Sequence, residues 1–204
     1  MVVKLLHHTP LWVASKAIRK CWASEDKSDT TNTNDNIGPK DRELIERVGC
    51  KLKHASTLEH IVYTFDIDGI SRACLQELAR HRVASLSVKS SRYTLKELKG
   101  APVSELHTFL VKTGNKFVDE HVNEIVLEDI QDELKKGTSN DVVKYMLPEA
   151  YKTSLVWTIN LRSLKNFLKL RTSRAALKEI RELAWAIVEE LPEEHMYLVE
   201  EDLI

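Results

Sequence analysis

Residues 61–68 alternate strictly: Ile61, Tyr63, Phe65 and Ile67 interleave with Val62, Thr64, Asp66 and Asp68. A period of two is that of a half-buried strand, set in a chain whose other apolar residues recur at helical spacing. Thr9-Pro10 reads as the cap and first position of a helix carrying Leu11, Ala14, Ile18 and Cys21/Trp22. Leu44, Ile45, Val48 and Leu52 predict a second helix. Ser71 can cap a third, with Cys74, Leu75 and Leu78, which ends near Arg82 where the sequence turns extended and serine-rich. A long helical region after Pro102 breaks near Gly137, and a shorter helix stops before Pro148. Residues 153–159 read as extended, Ser163 as the cap of a helix bearing Leu164, Phe167 and Leu168, and 177–188 as the last amphipathic helix. Helices flanking a few strands give the class α+β.

At 204 residues and 43% hydrophobic, the chain is expected to form one compact domain over 1–204. Lysine plus arginine (30) almost equals aspartate plus glutamate (31), which argues against a protein that coats nucleic acid and makes any anion site local. Cys21, Cys50 and Cys74 are odd in number and widely spaced, as in a reducing compartment. The first apolar run breaks at His7, too early for a signal peptide, and no later run has the length of a membrane span, so the expected address is the cytoplasm. Residues 24–40 are Ser, Asp, Thr and Asn with one large apolar residue, Ile37, and predict a flexible surface loop or flap.

Arg80-His81-Arg82 stands at a predicted helix C-terminus, where cations complement the helix dipole. The residues that follow, Ser85, Ser87, Ser90, Ser91 and Arg92, admit a second reading: guanidinium forks and hydroxyls within one turn and strand can hold a phosphate ester. Arg171 continues the stripe of Leu164, Phe167 and Leu168 where an apolar residue belongs. Either it snorkels to water at the helix end, or it is aimed into a ligand pocket. Asn160, Arg162 and Asn166 can hydrogen-bond a heterocycle, though Asn160 can equally end a strand and Asn166 face solvent. Between His54 and His60, Ser56-x-x-Glu59 reads as a capping box; a metal is not expected, because the His-Glu-x-x-His spacing and a third ligand are missing. His7, His8, His107, His121 and His195 carry no pattern, and the six glycines form neither a dinucleotide fingerprint nor a P-loop.

Taken together, Arg80-His81-Arg82, seven residues and then Ser90, followed by Arg92-Tyr93, resemble the signature of the flavin-dependent thymidylate synthases. His54-x-Ser56-x-x-Glu59-His60 and 160–171 resemble that family's other two motif blocks, in order and spacing. The resemblance covers nearly the whole chain and is weakest at 24–40. It implies an α+β fold with a central, mostly antiparallel sheet flanked by helices, and a homotetramer whose active sites are shared between subunits. It implies FAD held by Ser56, Arg80, His81, Arg82, Asn160, Arg162 and Asn166, with backbone near Val88 and Leu161, and His54 near the flavin ring. It places deoxyuridylate (dUMP) against Glu77, Leu78, Ala79, Arg80, Val88, Lys89, Ser90, Ser91, Arg92, Lys144 and Arg171. Three positions depart from the family pattern: Ser87 for asparagine, Val88 for glutamate, Lys144 for arginine. Val88 has no polar side chain, and Lys144 keeps charge without the planar fork.

The implied reaction is reductive methylation of dUMP to thymidylate, with methylenetetrahydrofolate as carbon donor and NADPH as reductant, and without a cysteine nucleophile. Arg171 would stabilise charge on the uracil ring. Two other functions compete: a flavin reductase or nucleotide-dependent oxidase without methyl transfer, and a small nucleic-acid-binding module, which the balanced charge disfavours. No membrane partner is expected.

Overall fold

The computed structural model describes residues 1–31 and 37–204. Strands β1 (Val2–His8), β2 (Val62–Ser71), β3 (Ala84–Val88) and β4 (Lys152–Asn160) form one sheet in the order β1-β2-β4-β3. Thr9 N–H donates to Val62 O at one end of the first pair, while Gly69 lies beside the Met1 backbone at the other, so β1 and β2 run antiparallel. Thr64 opposite Thr158 and Asp68 opposite Ser154 show that β2 and β4 also run antiparallel. Around these strands lie α1 (Trp12–Cys21), α2 (Pro39–Ile45), α3 (Arg72–Leu78), α4 (Ser91–Thr94), α5 (Lys96–Gly100), α6 (Ile125–Lys136), α7 (Asn140–Val143), α8 (Leu161–Arg171) and α9 (Lys178–Glu189). Among the described residues no helix is long and apolar enough to cross a membrane.

The chain divides into two compact units. One comprises Met1–Val2, Ile67–Arg80 and Ser87–Leu155. Its core joins Leu95, Leu98, Leu106, Leu127, Ile130, Leu134 and Tyr151. Buried Gln131 donates to Leu98 O and Ala101 O at 2.9 and 2.7 Å, tying α6 to the end of α5. Ser71 caps α3 as its sequence predicts, accepting from Cys74 N at 3.0 Å. Gly137 ends α6 with φ of 96°, the left-handed conformation that favours glycine. Residues 103–124 are less regular than the long helix expected there: a 3-10 segment, Val103–Phe109, a turn, and a π-helical segment, Phe117–Glu124.

The other unit comprises Val3–Asp66, His81–Leu86 and Val156–Ile204. Tyr63, Phe65, Trp157 and Phe167 form a continuous aromatic column, each ring 5.1–6.2 Å from the next and all fully buried. Each such side chain contributes roughly 2–3 kcal/mol by leaving water. The first residues pair as β1, which the short apolar run did not announce. Thr9 accordingly hydrogen-bonds Val62 through its backbone and hydroxyl, and the helix expected to start at Pro10 begins at Trp12.

Part of the stretch expected as a flap is anchored. Asp41, fully buried, receives Arg19 Nε at 2.5 Å, Ser28 Oγ at 2.5 Å and Thr30 Oγ1 at 2.6 Å, and Asp29 accepts from Lys40 N and Asp41 N at the start of α2. Burial pushes the Asp41 carboxyl up, but the donors from Ser28, Thr30 and Arg19 outweigh it and hold the group below the usual aspartate range. Polar composition there reflects internal hydrogen bonding as well as exposure. The middle of the expected flap, residues 32–36, lies outside the described residues.

His195, featureless in sequence, is completely buried. Tyr63 Oη lies 2.8 Å from its Nδ1, and its ring meets that of His8 edge-on at 5.0 Å. Burial, then the neighbouring His8 and Arg42 charges, lower its pKa from 6.5 to about 4. A histidine that is neutral when folded but takes up a proton near pH 6.5 when unfolded stabilises the fold above pH 6.5, and that stability drains away as pH falls toward 4. Urea denaturation at pH 7 and pH 5 should differ by about 2 kcal/mol from this group, and the difference should shrink in His195→Gln. An equal pH dependence in the variant would remove His195 as its source.

Candidate functional site

In the unit that holds β4's C-terminal half, Asn160 ends the strand and caps the helix: its Oδ1 accepts from Ser163 N at 2.9 Å. The cap is thus Asn160 and not Ser163, since β4 runs into α8 without a loop. Leu161, Leu164, Phe167 and Leu168 bury one face of α8, leaving Arg162 and Asn166 exposed. A 3-10 segment, Ala55–His60, packs against this helix. It carries exposed Ser56, with exposed His54 just ahead of it. The expected capping box does not form: His54 occupies the cap position without a side-chain bond, and Glu59 instead meets Arg162 Nη1 at 2.6 Å. A cation and an amide on α8 and a hydroxyl on the segment packed against it are thus all exposed, groups of the kind that an anionic dinucleotide requires.

Arg171, the last residue of α8, does not follow water. Its Nε donates to His81 Nε2 at 2.9 Å, and the His81 ring is buried edge-on to Phe167 at 4.9 Å. A guanidinium cannot accept, so His81 Nε2 carries no proton in this arrangement and the ring is neutral with its hydrogen on Nδ1. The guanidinium is tied through one imidazole to the aromatic column, and remains half-buried. Arg82 is exposed on the same turn. Next to it Val83 has φ of 63°, a conformation that costs a β-branched residue about 1–2 kcal/mol.

The other unit carries the rest of the expected residues. Glu77, Leu78, Ala79 and Arg80 lie at the end of α3, which stops at Leu78 rather than near Arg82. Leu78 is fully buried and offers only backbone, whereas Arg80 is exposed with Nη1 3.8 Å from Glu77 Oε1. Ser87 and Val88 are exposed at the end of β3, and Lys89 N–H donates to Ser154 O at 2.8 Å. Ser90 precedes α4, its carbonyl accepting from Tyr93 N and Thr94 N. Arg92 Nε meets Asp141 Oδ1 at 3.0 Å, while Asn140 Nδ2 donates to Arg92 O at 2.8 Å. These contacts pack α4 against α7, and Lys144 follows directly, so Ser90, Ser91, Arg92 and Lys144 are carried by two adjoining elements. Glu97 holds Lys89 at 2.7 Å.

Sequence reasoning missed the carboxylates: Glu59, Glu97 and Asp141 each hold a cation of the expected site. Spacing gave no signal, since Glu59 and Arg162 are 103 residues apart. All three pairs are well exposed, and such pairs contribute at most about 1 kcal/mol, so an anionic ligand can displace the carboxylates at little cost. Among the described residues no group of three or more His, Cys, Asp or Glu side chains converges on a metal position.

Residues 4–195 match the protein-family model described as thymidylate synthase complementing protein. A flavin-dependent thymidylate synthase of Wolinella succinogenes is 56% identical over 204 residues, covering 97% of each chain. Another, from Helicobacter pylori, is 50% identical and covers 100% of this chain and 99% of its own. A crystal structure of thymidylate synthase X from Helicobacter pylori with FAD and dUMP superposes with a TM-score of 0.91 at 48% identity, over 100% of this chain and 99% of that one.

The Arg171 arrangement predicts a measurable dependence on His81. His81→Phe keeps a ring against Phe167 but removes the acceptor, and should lower stability by about 1–2 kcal/mol for the lost hydrogen bond. Thermal melting reads this; an unchanged midpoint would show that Arg171 takes no hold from the imidazole.

Proposed function

The chain belongs to the flavin-dependent thymidylate synthase family, and we propose that it methylates dUMP to thymidylate, with methylenetetrahydrofolate as carbon donor and NADPH as reductant. The observation that carries this is the half-buried Arg171 guanidinium, turned inward onto His81 of the Arg80-His81-Arg82 motif. A helix-terminal arginine with only a surface role would extend to solvent.

In this proposal Ser56, Arg80, Arg82, Asn160, Arg162 and Asn166 hold FAD, with backbone at Val88 and Leu161, and His54 flanks the ring. When bound, the flavin supplies the hydride chemistry. His81, whose Nε2 is already engaged, serves both that set and Arg171. Glu77, Leu78, Ala79, Arg80, Val88, Lys89, Ser90, Ser91, Arg92, Lys144 and Arg171 form the dUMP set. Arg92 leaves Asp141 for the phosphate, and Lys144 adds a point charge in place of a fork. Arg171 is the catalytic residue: a guanidinium fixed before substrate arrives stabilises negative charge accumulating on the uracil ring without reorganising first. The enzyme works as one functional domain, in a homotetramer that shares sites between subunits, in the cytoplasm; its three free cysteines suit a reducing compartment.

The visible spectrum of the purified protein tests the ligands: a flavin band should appear and shift on adding dUMP. Product analysis then separates the synthase from a reductase or oxidase, since only the synthase forms thymidylate and needs folate. Arg171→Ala should lower kcat by about 100- to 1000-fold with flavin retained; release of flavin with turnover intact would rule out the assigned role. Arg92→Ala should raise the dUMP Kd by about 10- to 100-fold and leave the flavin spectrum normal. An unchanged Kd would take Arg92 out of the site.

A further inference from the structure

Within the unit that carries β3's end and α4, a small cavity is lined by Arg72, Lys89, Ser91, Thr94, Lys152 and Thr153, with Tyr151 closing it. Its volume is about 20 Å³, enough for one oxygen-sized group. Three of the lining residues are cations and none is acidic. Arg72 lines it, and the Nε of this side chain is buried with no hydrogen-bond partner. An unanswered guanidinium N–H out of water is costly, because a charged donor loses its hydration and gains nothing. The two lysines beside it carry only donors and have partners of their own, Glu97 at 2.7 Å from Lys89 and Thr108 O at 2.9 Å from Lys152 Nζ. The Arg72 backbone is fixed at the start of α3, its N–H donating to Tyr151 O at 3.1 Å. Burial and the nearby Glu97 push the Tyr151 hydroxyl up to about 12, so it stays protonated at neutral pH.

We propose that Arg72 is a further substrate-binding residue, whose guanidinium takes one oxygen of the nucleotide's phosphate monoester beside Lys89 and Ser91. The inference rests on the nucleotide-binding function above. An oxyanion supplies the negative charge that the lining lacks, and a cavity of this size takes one oxygen while the rest of the phosphate stays outside. Water would fill the same space but would bring no negative charge to Arg72 and Lys152. Arg72 lies outside every motif block of the sequence, and so do Lys152 and Thr153.

The test compares Arg72→Gln with the wild-type holoenzyme, using dUMP, deoxyuridine and inorganic phosphate as probes. Arg72→Gln should weaken dUMP about tenfold or more, the effect of one charge-assisted hydrogen bond. Deoxyuridine, which lacks the phosphate, should bind both proteins equally. Inorganic phosphate should raise the wild-type melting midpoint above that in chloride of equal ionic strength, and should not raise it in the variant. Equal weakening of dUMP and deoxyuridine, or no weakening of either, overturns the proposal and leaves the synthase function standing. A wild type that ignores dUMP yet responds to phosphate through Arg72 overturns the nucleotide function but keeps the oxyanion site; one that binds neither overturns both. Should Arg72→Gln fail to fold, Lys152→Gln decides: it should weaken dUMP about threefold and spare deoxyuridine, and equal affinities for dUMP in Lys152→Gln and wild type overturn the proposal.

Discussion

A charge at a helix end is drawn to water, and the chemistry assigned to Arg171 requires that something hold it back. The holding group is one imidazole. His81 accepts from Arg171 Nε, while its ring rests on Phe167 and through it on Trp157, Phe65 and Tyr63. The aromatic column is therefore more than core. It gives a rigid backing to a hydrogen bond whose acceptor nitrogen carries no proton.

The same economy governs both strand-to-helix junctions. Ser71 ends β2 and caps α3; Asn160 ends β4 and caps α8. In each, one polar side chain lets a strand pass into a helix without an intervening loop, so residues on the first and last turns stand in fixed register with the sheet. α8 presents Arg162 and Asn166 near its start and Arg171 at its end, and α3 delivers Glu77 and Arg80. Around these rigid elements the cations rest on exposed carboxylates, Glu59, Glu97 and Asp141, held loosely enough to be exchanged for a ligand.

Much of this is legible along the chain. The alternation at 61–68 became β2, Ser71 caps as read, and Gly137 ends α6 in the left-handed conformation. The motif blocks identified the family that the comparisons then showed. Three of the errors share one cause, which is that a local signal was outweighed by a distant partner. Thr9 looked like a cap but pairs with Val62, 53 residues on. Ser56 and Glu59 looked like a capping box, but Glu59 has Arg162 to bind. The described part of 24–40 looked too polar to order, yet Asp41 collects Arg19, Ser28 and Thr30.

The sequence by itself determined the periodicities, the order of the motifs and hence the family, because those depend on residue type and spacing within a few turns. Only the tertiary structure decided which cations are restrained and which are open. Arg171 is half-buried against His81, 90 positions away, Arg162 and Arg92 rest on surface carboxylates, and Arg72 lines a cavity with its Nε unanswered. Restraint of a charge depends on what the fold brings within about 3 Å of it and how much water it removes, and neither quantity has a signature along the chain.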